Sequence, residues 1–104
     1  MQTPEDYKCT TNKLRIKIYY KKNLRLSEGK VAAQCGHVAK ELGRMLSSDA
    51  RTDTIIVLGV SDKKYKELSL QYQKEDIFWY QQIDNGVTEV IKGTPTAFGY
   101  IEYE

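Results

Sequence analysis

A chain of 104 residues with 40% hydrophobic content can bury one modest core, so we expect a single domain over residues 13–104 after a flexible tail at 1–12. No run of about 18 apolar residues occurs and the N-terminus lacks the apolar stretch of a signal peptide, which predicts a cytoplasmic protein without a membrane partner. The one histidine, His37, and the unpaired cysteines Cys9 and Cys35 form no ligand set, so we expect no metal and no other cofactor.

Charge is distributed unevenly along the chain. Residues 1–51 hold 11 Lys and Arg against 5 Asp and Glu, whereas residues 52–104 hold 5 against 9. A basic half attracts polyanions such as nucleic acids and makes their binding sensitive to salt. A solvated surface without a ligand explains the same charge equally well, so charge alone leaves both interpretations open.

The first half of the chain has the pattern of a strand, a helix and a second strand. Apolar and basic residues alternate from Lys13 and predict a strand that ends in the loop 21–26. Ser27 is a helix cap, and apolar residues then recur at spacings of four and three as far as about Leu46. The β-branched run at 54–60 predicts a buried strand, and the whole order predicts a βαβ unit with parallel strands.

The second half adds a short helix and two more strands. Ser61 begins the helix, in which Tyr65, Leu68 and Tyr72 share one face. A strand at 77–83, a tight turn at 84–86, a short return segment at 87–91 and a last strand at 96–103 follow. The predicted fold is therefore a three-layer α/β/α domain with a mixed sheet of about four strands. A homodimer through the aromatic last strand is an open alternative.

The start of the first helix is the most informative segment. Gly29 and Lys30 lie on its first turn, where free N–H groups and the helix dipole favour an anion. Gln34 follows one turn later and shares the face of Lys30. The segment is not a Walker phosphate loop, because it lacks the upstream glycine and the following Ser or Thr. An ordinary helix start packed on a sheet explains it equally well.

Two motifs together resemble the peptidyl-tRNA hydrolase 2 family. The first is Gly-Lys-Val-Ala-Ala-Gln-Cys-Gly-His at 29–37, and the second is Ile-Asp-Asn-Gly-Val-Thr-Glu-Val at 83–90 with Gly-Thr-Pro-Thr at 93–96. The resemblance covers about residues 13–100. It implies an enzyme that cleaves the ester between a peptide and the 3′ ribose of tRNA without a metal. Gly36, Asn23, Val87 and the early end of the chain at Glu104 depart from the family's usual pattern.

The resemblance also implies a set of site residues. The positions matching the family's motifs are Lys30, Gln34, His37, Asp84, Thr88 and Thr96. Lys30 would bind a phosphate or a developing oxyanion, Asp84 would orient water or Lys30, and the threonines would hold water or ribose. Basic residues expected to contact the tRNA backbone are Lys13, Arg15, Lys17, Lys21, Lys22, Arg25, Lys40 and Arg44.

Each role has a structural alternative. The Asp84 side chain could instead support a turn, and the threonines are common in any strand. His37 could be a hydrogen-bonded structural residue. Two other functions remain open. One is an RNA-binding module of the same fold that has lost catalysis through Gly36 and the missing tail. The other is a protein-interaction domain that uses the aromatic segment 78–80, although alternation along a strand favours core packing for these rings.

Overall fold

The computed structural model describes residues 14–46, 52–74, 78–84 and 93–103. This part contains the strands β1 (Leu14–Lys21), β2 (Thr52–Val60), β3 (Trp79–Ile83) and β4 (Pro95–Tyr103), the helices α1 (Glu28–Arg44) and α2 (Asp62–Lys74), and a 3₁₀ turn at Lys22–Leu24. The strands form one sheet in the order β2-β1-β4-β3. β1 and β2 are parallel, whereas β4 is antiparallel to β1 and β3. The predicted parallel pair and mixed sheet are confirmed.

The helices lie on opposite faces of the sheet. Side chains of β1, β4 and α1 form one buried cluster, made of Leu14, Ile16, Ile18, Cys35, Val38, Leu42, Ala97 and Ile101. Side chains of the same two strands and α2 form a second cluster, made of Tyr19, Tyr65, Leu68, Phe98 and Tyr100. Because successive residues of a strand point to opposite faces, β1 and β4 contribute to both cores. The three-layer α/β/α fold is therefore confirmed.

Aromatic rings dominate the core beneath α2. The Tyr65 and Phe98 rings meet edge to face at 5.1 Å, and the Tyr72 and Tyr100 rings stack at 4.0 Å. Burial raises the pKa of the Tyr65 hydroxyl, which donates a hydrogen bond to Gln81 Oε1 at 2.9 Å. Burial also raises the pKa of Tyr100, whose hydroxyl donates to Tyr72 Oη at 3.0 Å. Each of these two buried hydroxyl groups thus has a hydrogen-bond partner, which a polar group inside a core requires.

The core beneath α1 requires a glycine in β4. A Cβ at Gly99 would lie 2.8 Å from the Lys17 carbonyl oxygen and 2.8 Å from Val38 Cγ1. The first of these neighbours is backbone and cannot move aside without disturbing the pairing of β1 with β4. Gly99 therefore allows α1 to approach the centre of the sheet closely.

Both predicted helix caps are present. Ser27 Oγ accepts from the Lys30 backbone N–H at 3.3 Å, and Ser61 Oγ accepts from the Lys64 backbone N–H at 3.1 Å. α1 ends at Arg44, two residues before the predicted end at Leu46. No helix among the described residues is long and apolar enough to cross a membrane.

Two expectations about the strands are wrong. The run 54–60 is not a buried strand, because β2 lies at one edge of the sheet and exposes Ile55, Val57 and Leu58. The last strand is not a sheet edge, because β4 lies between β1 and β3 and its outer groups are already paired. Edge-to-edge pairing of β4 with another copy therefore does not fit this sheet order. The tail 1–12, Lys13 and the return segment 87–91 lie outside the described residues.

The aromatic segment 78–80 does not form an exposed patch. Phe78 and Tyr80 are half-buried and pack against the cluster beneath α1. Trp79 is half-buried and packs against the cluster beneath α2. The alternation expected of a strand thus places the rings on both faces, which removes the structural basis for a protein-interaction surface at this segment.

Candidate active site

A buried ion pair joins the first turn of α1 to the residue that follows β3. Lys30 Nζ lies 2.6 Å from Asp84 Oδ1, and the two side chains are 13% and 1% exposed. The residues are 54 positions apart in the chain, so the sheet topology alone brings them together. Such a buried charge is stable only when paired and hydrogen-bonded, which makes the two residues dependent on each other.

Gln34 and Thr96 extend this pair into a network. Gln34 Nε2 donates to Thr96 Oγ1 at 2.9 Å and lies 3.5 Å from Asp84 Oδ1, a long contact. Thr96 Oγ1 in turn donates to the Gln82 carbonyl oxygen at 3.2 Å. Gln34 and Thr96 are both buried. Four of the six predicted site residues therefore meet, and we call Lys30, Gln34, Asp84 and Thr96 the polar cluster.

A bulge in β4 accounts for the position of the Thr96 hydroxyl. Gln82 pairs with Ala97 and Ile83 pairs with Pro95, so Thr96 is an extra residue on the β4 side. By regular alternation Thr96 would share the α2 face with Phe98 and Tyr100, yet its hydroxyl reaches Gln34 of α1. A bulge redirects a side chain in this way. The contribution of the Gln82 carbonyl was missed in the sequence, since no residue pattern marks a backbone acceptor.

Backbone contacts hold Asp84 in place. The Asp84 N–H donates to the Thr94 carbonyl oxygen at 2.9 Å, and the Gly93 N–H donates to the Asp84 carbonyl oxygen at 2.8 Å. Gly93 has a φ of 91°, a region that favours glycine because it has no Cβ. These two hydrogen bonds join Asp84 to the residues just before β4, and the Asp84 carboxylate lies against Lys30 of α1.

We expect Thr96→Val to lower the free energy of unfolding by about 1 to 3 kcal/mol, because it leaves the Gln34 amide and the Gln82 carbonyl without their buried partner. Urea unfolding measures the loss. Thr96→Ser keeps the hydroxyl and is the matched control, with a smaller loss expected. Equal losses in the two variants would mean that the methyl group, not the hydroxyl, stabilises the site.

The two remaining predicted site residues are not part of the cluster as described. His37 is exposed on α1, and the cluster's contacts within the described residues do not include it. It lies seven residues after Lys30, about 10 Å along the helix axis. Thr88 lies outside the described residues.

The predicted tRNA-contacting residues separate into two groups. Lys22, Arg25, Lys40 and Arg44 are exposed. Lys21 is buried. Its Nζ lies 3.1 Å from Asp62 Oδ1 and 4.8 Å from the centre of the Tyr65 ring. The pairing with Lys21 and Lys66 also lowers the pKa of Asp62. Lys21 is therefore engaged with α2, and its predicted role as a phosphate contact would require this ion pair to open.

Lys17 and Arg15 also differ from the exposed group. The Lys17 ammonium lies 5.7 Å from the centre of the Tyr19 ring, on the face covered by α2, whereas the polar cluster lies on the face covered by α1. Arg15 forms an ion pair with Glu102. Among the described members of the predicted set, the exposed basic residues of α1 and of the loop before it thus remain candidates for tRNA contact.

Cys35 follows Gln34 but does not offer a nucleophile. Its side chain belongs to the core beneath α1, and burial raises the pKa of its thiol. A thiol held protonated and away from solvent is unreactive. Among the described residues no group of three or more His, Cys, Asp and Glu side chains is placed to hold a metal ion.

A groove lies on the opposite flank of α1 from the polar cluster. It has a volume of about 620 Å³ and is lined by Ala32, Gly36 and Ala39 of α1 and by Ile55 and Val57 of β2. Because successive residues of an α-helix are rotated by about 100°, position 36 points about 120° away from Lys30 around the axis of α1. A Cβ at Gly36 would meet nothing within 4 Å. A side chain at position 36 would therefore point away from the polar cluster and would not extend it.

A comparison with known families identifies the family of this chain. The model of the family described as Peptidyl-tRNA hydrolase PTH2 matches residues 14–101, which is most of the chain. The chain belongs to this family. A search of curated proteins found no match. The matched range contains all members of the polar cluster, and the motifs that carried the resemblance in the sequence lie within it.

Proposed function

We propose that this protein hydrolyses peptidyl-tRNA and that Lys30 is the residue of the polar cluster that touches the substrate. Its family membership supports the reaction class, and the buried pair of Lys30 with Asp84 is the observation that carries the assignment of the site. In the reaction water adds to the ester carbonyl and the bond to the ribose oxygen breaks. The products are a peptide with a free carboxyl group and a tRNA with a free 3′ terminus.

Lys30 suits the stabilisation of negative charge. Its ammonium has three N–H donors, of which Asp84 Oδ1 takes one, and its side chain is the more exposed of the pair. The first turn of α1 adds the positive end of the helix dipole. A preorganised charge of this kind acts most strongly on the oxyanion that develops at the ester carbonyl.

Asp84, Gln34 and Thr96 are positioning residues in this proposal. The Asp84 carboxylate is 1% exposed and faces both Lys30 and Gln34, so a substrate water has little access to it. Thr96 holds the Gln34 amide, and the Gln34 amide lies against Asp84. The network therefore fixes the direction of the Lys30 side chain, and Asp84 does not act as a general base in this arrangement.

Exposed basic residues on α1 provide contacts for the tRNA backbone. Lys40 and Arg44 have side chains that are 62% and 71% exposed. At about 100° per residue they point roughly 80° and 40° away from Lys30 around the helix. Both lie near Glu41, which an incoming phosphate would have to displace as their partner. Lys22 and Arg25 extend the basic surface beyond the start of α1.

The deciding experiment is hydrolysis of a defined N-acetyl-aminoacyl-tRNA by the purified full chain, with a chelator and without added metal. We expect release of the N-acetyl amino acid and retention of activity in the chelator, since the cluster contains no metal ligand set among the described residues. Binding of tRNA recorded at two salt concentrations is expected to weaken at the higher one, because phosphate contacts release counterions.

An RNA-binding module without catalysis is the alternative that this experiment separates. It requires salt-sensitive tRNA binding without turnover. Gly36 does not favour this alternative, because its position is on the flank of α1 away from Lys30. Absence of both binding and turnover would contradict the enzyme and the binding module alike.

A further inference from the structure

The edge strand β3 ends at the polar cluster. β3 pairs with β4 on its inner side, and no strand among the described residues pairs with its outer side. Asp84 follows β3 directly, and Lys30 Nζ lies 2.6 Å from Asp84 Oδ1. The outer side of β3 is therefore an open row of backbone groups that leads to the residue proposed to touch the substrate.

The alternation of residues along β3 identifies the backbone groups of this row. The Ile101 N–H donates to the Phe78 carbonyl oxygen at 3.1 Å, and the Asp84 N–H donates to the Thr94 carbonyl oxygen at 2.9 Å. In an antiparallel pair every second residue exchanges hydrogen bonds with the partner strand, so the backbone of Phe78 and of every second residue as far as Asp84 faces β4. The bulge adds its extra residue to β4, so the alternation on β3 continues through it. The residues whose backbone N–H and C=O groups face outwards are Trp79, Gln81 and Ile83.

The row is accessible at the end nearest the polar cluster. The Ile83 carbonyl oxygen accepts from Gln82 Nε2 at 3.3 Å, so this carbonyl group is directed away from β4. A carbonyl oxygen has two lone pairs, and this long contact leaves one of them for a second donor. The Ile83 side chain is 43% exposed beside it. An added strand would therefore meet both backbone groups and an apolar side chain at this end of β3.

We propose that the peptide part of peptidyl-tRNA pairs with the outer side of β3 as a fifth strand, parallel to β3, and that this pairing places the ester at Lys30. The inference rests on the proposed hydrolysis. In strand addition the main-chain hydrogen bonds provide the affinity, and they form with peptides of different sequence. A substrate class whose peptides differ in their side chains is suited to recognition of this kind.

The position of Lys30 determines the direction of the peptide. The ester is at the C-terminal end of the peptide, and the Lys30 ammonium lies at the C-terminal end of β3. A parallel peptide therefore ends beside Asp84, whereas an antiparallel peptide would end beside Trp79, roughly 16 Å away at about 3.3 Å per residue. The other edge strand, β2, is three strand spacings or about 14 Å from β3, so it does not lead to the polar cluster.

The parallel direction also determines which peptide groups pair with β3. When the residue that carries the ester lies beside Asp84, the third residue counted back from the ester lies beside Gln82. In a parallel ladder this third residue donates its N–H to the Gln81 carbonyl oxygen and accepts from the Ile83 N–H. The N–H of the second residue points away from β3. An N-acetyl-aminoacyl group is too short to form the two hydrogen bonds of the third residue.

Substrates of different length test the pairing with the native full chain. We expect kcat/KM for tRNA carrying N-acetyl-trialanine to exceed that for tRNA carrying N-acetyl-alanine by about tenfold, because two further hydrogen bonds form. Methylation of the nitrogen of the third alanine, counted from the ester, should remove most of this gain, because it replaces the donor and blocks the approach of the strand. Methylation of the nitrogen of the second alanine is the matched control and should preserve the gain.

A variant of the chain tests the same hydrogen bonds from the protein side. Ile83→Pro removes an N–H that faces away from β4, and an edge strand tolerates proline beside a bulge. The ratio of kcat/KM between the two unmethylated substrates should fall towards one in Ile83→Pro. It should stay about tenfold in the control Ile83→Ala, which keeps the N–H. The circular dichroism spectra of both variants should match that of the native chain.

The outcomes separate this inference from the proposed function. A gain that is lost on methylation of the third nitrogen supports the strand pairing. Hydrolysis of both unmethylated substrates with equal kcat/KM, or a gain that survives this methylation, would overturn the pairing and leave the hydrolase in place. Absence of hydrolysis with every substrate would overturn the proposed function and the pairing with it.

Discussion

Replacing Lys30 by Met is expected to lower kcat/KM for N-acetyl-aminoacyl-tRNA by about 10²- to 10³-fold, the usual effect of removing one stabilising donor from a developing oxyanion. Lys30 is the member of the polar cluster with the most solvent-accessible charged group, so its loss removes the contact with the substrate itself. A steady-state assay without added metal measures the change. Lys63→Met, at an exposed position on α2 across the sheet from the polar cluster, is the control and should retain most of the activity.

The Lys30 variant needs a second measurement because it also strains the fold. It leaves the Asp84 carboxylate buried without its cation, which costs about 3 to 5 kcal/mol when a buried pair loses one partner. The double variant Lys30→Met with Asp84→Asn removes both charges, and we expect its unfolding midpoint to recover towards that of the native chain. Its activity should remain low. Recovery of activity together with stability would show that Lys30 supports the fold and does not touch the substrate.

Phe98→Ala is expected to reduce the free energy of unfolding by about 3 to 5 kcal/mol, which is a large share of the stability of a domain of this size. Phe98 is completely buried in β4, and its ring lies 5.4 Å from that of Tyr19 and 5.1 Å from that of Tyr65. The cavity would open between the sheet and α2. Thermal or urea unfolding followed by circular dichroism measures the loss.

The matched control for Phe98 is Leu70→Ala on α2. Leu70 is exposed, so its truncation should change the free energy of unfolding by no more than about 0.5 kcal/mol. A loss below about 1 kcal/mol for Phe98→Ala would contradict the assignment of the aromatic cluster as the main core between the sheet and α2.

The fold could be predicted largely from local patterns. The alternation in β1, the four-three spacing in α1 and the serine caps at Ser27 and Ser61 all describe interactions between near neighbours in the chain, and each is present in the structure. The parallel pairing of β1 with β2 also followed, because a long helix between two strands favours it. The family resemblance predicted the residues of the polar cluster, although composition and spacing alone left their roles open.

The order of strands could not be predicted in the same way. In the sequence, the apolar run 54–60 is typical of a central strand, and the aromatic run 96–103 is compatible with an edge strand. In the sheet, the first run lies at an edge and the second lies in the interior. β4 enters between β1 and β3, and this long-range pairing leaves β2 exposed. The alternation of residues reports which faces of a strand are apolar, but not which strands lie beside it.

The sequence by itself therefore determined the elements, their caps and the identity of the residues able to carry charge chemistry, because these follow from local periodicity and side-chain type. Only the tertiary structure decided how they meet. It joined Lys30 to Asp84 across 54 positions, redirected Thr96 through a bulge, and separated Lys21 from the basic residues on the other side of the sheet. The physical reason is that a buried charge or hydroxyl is stabilised by partners that only the packing of distant segments can supply.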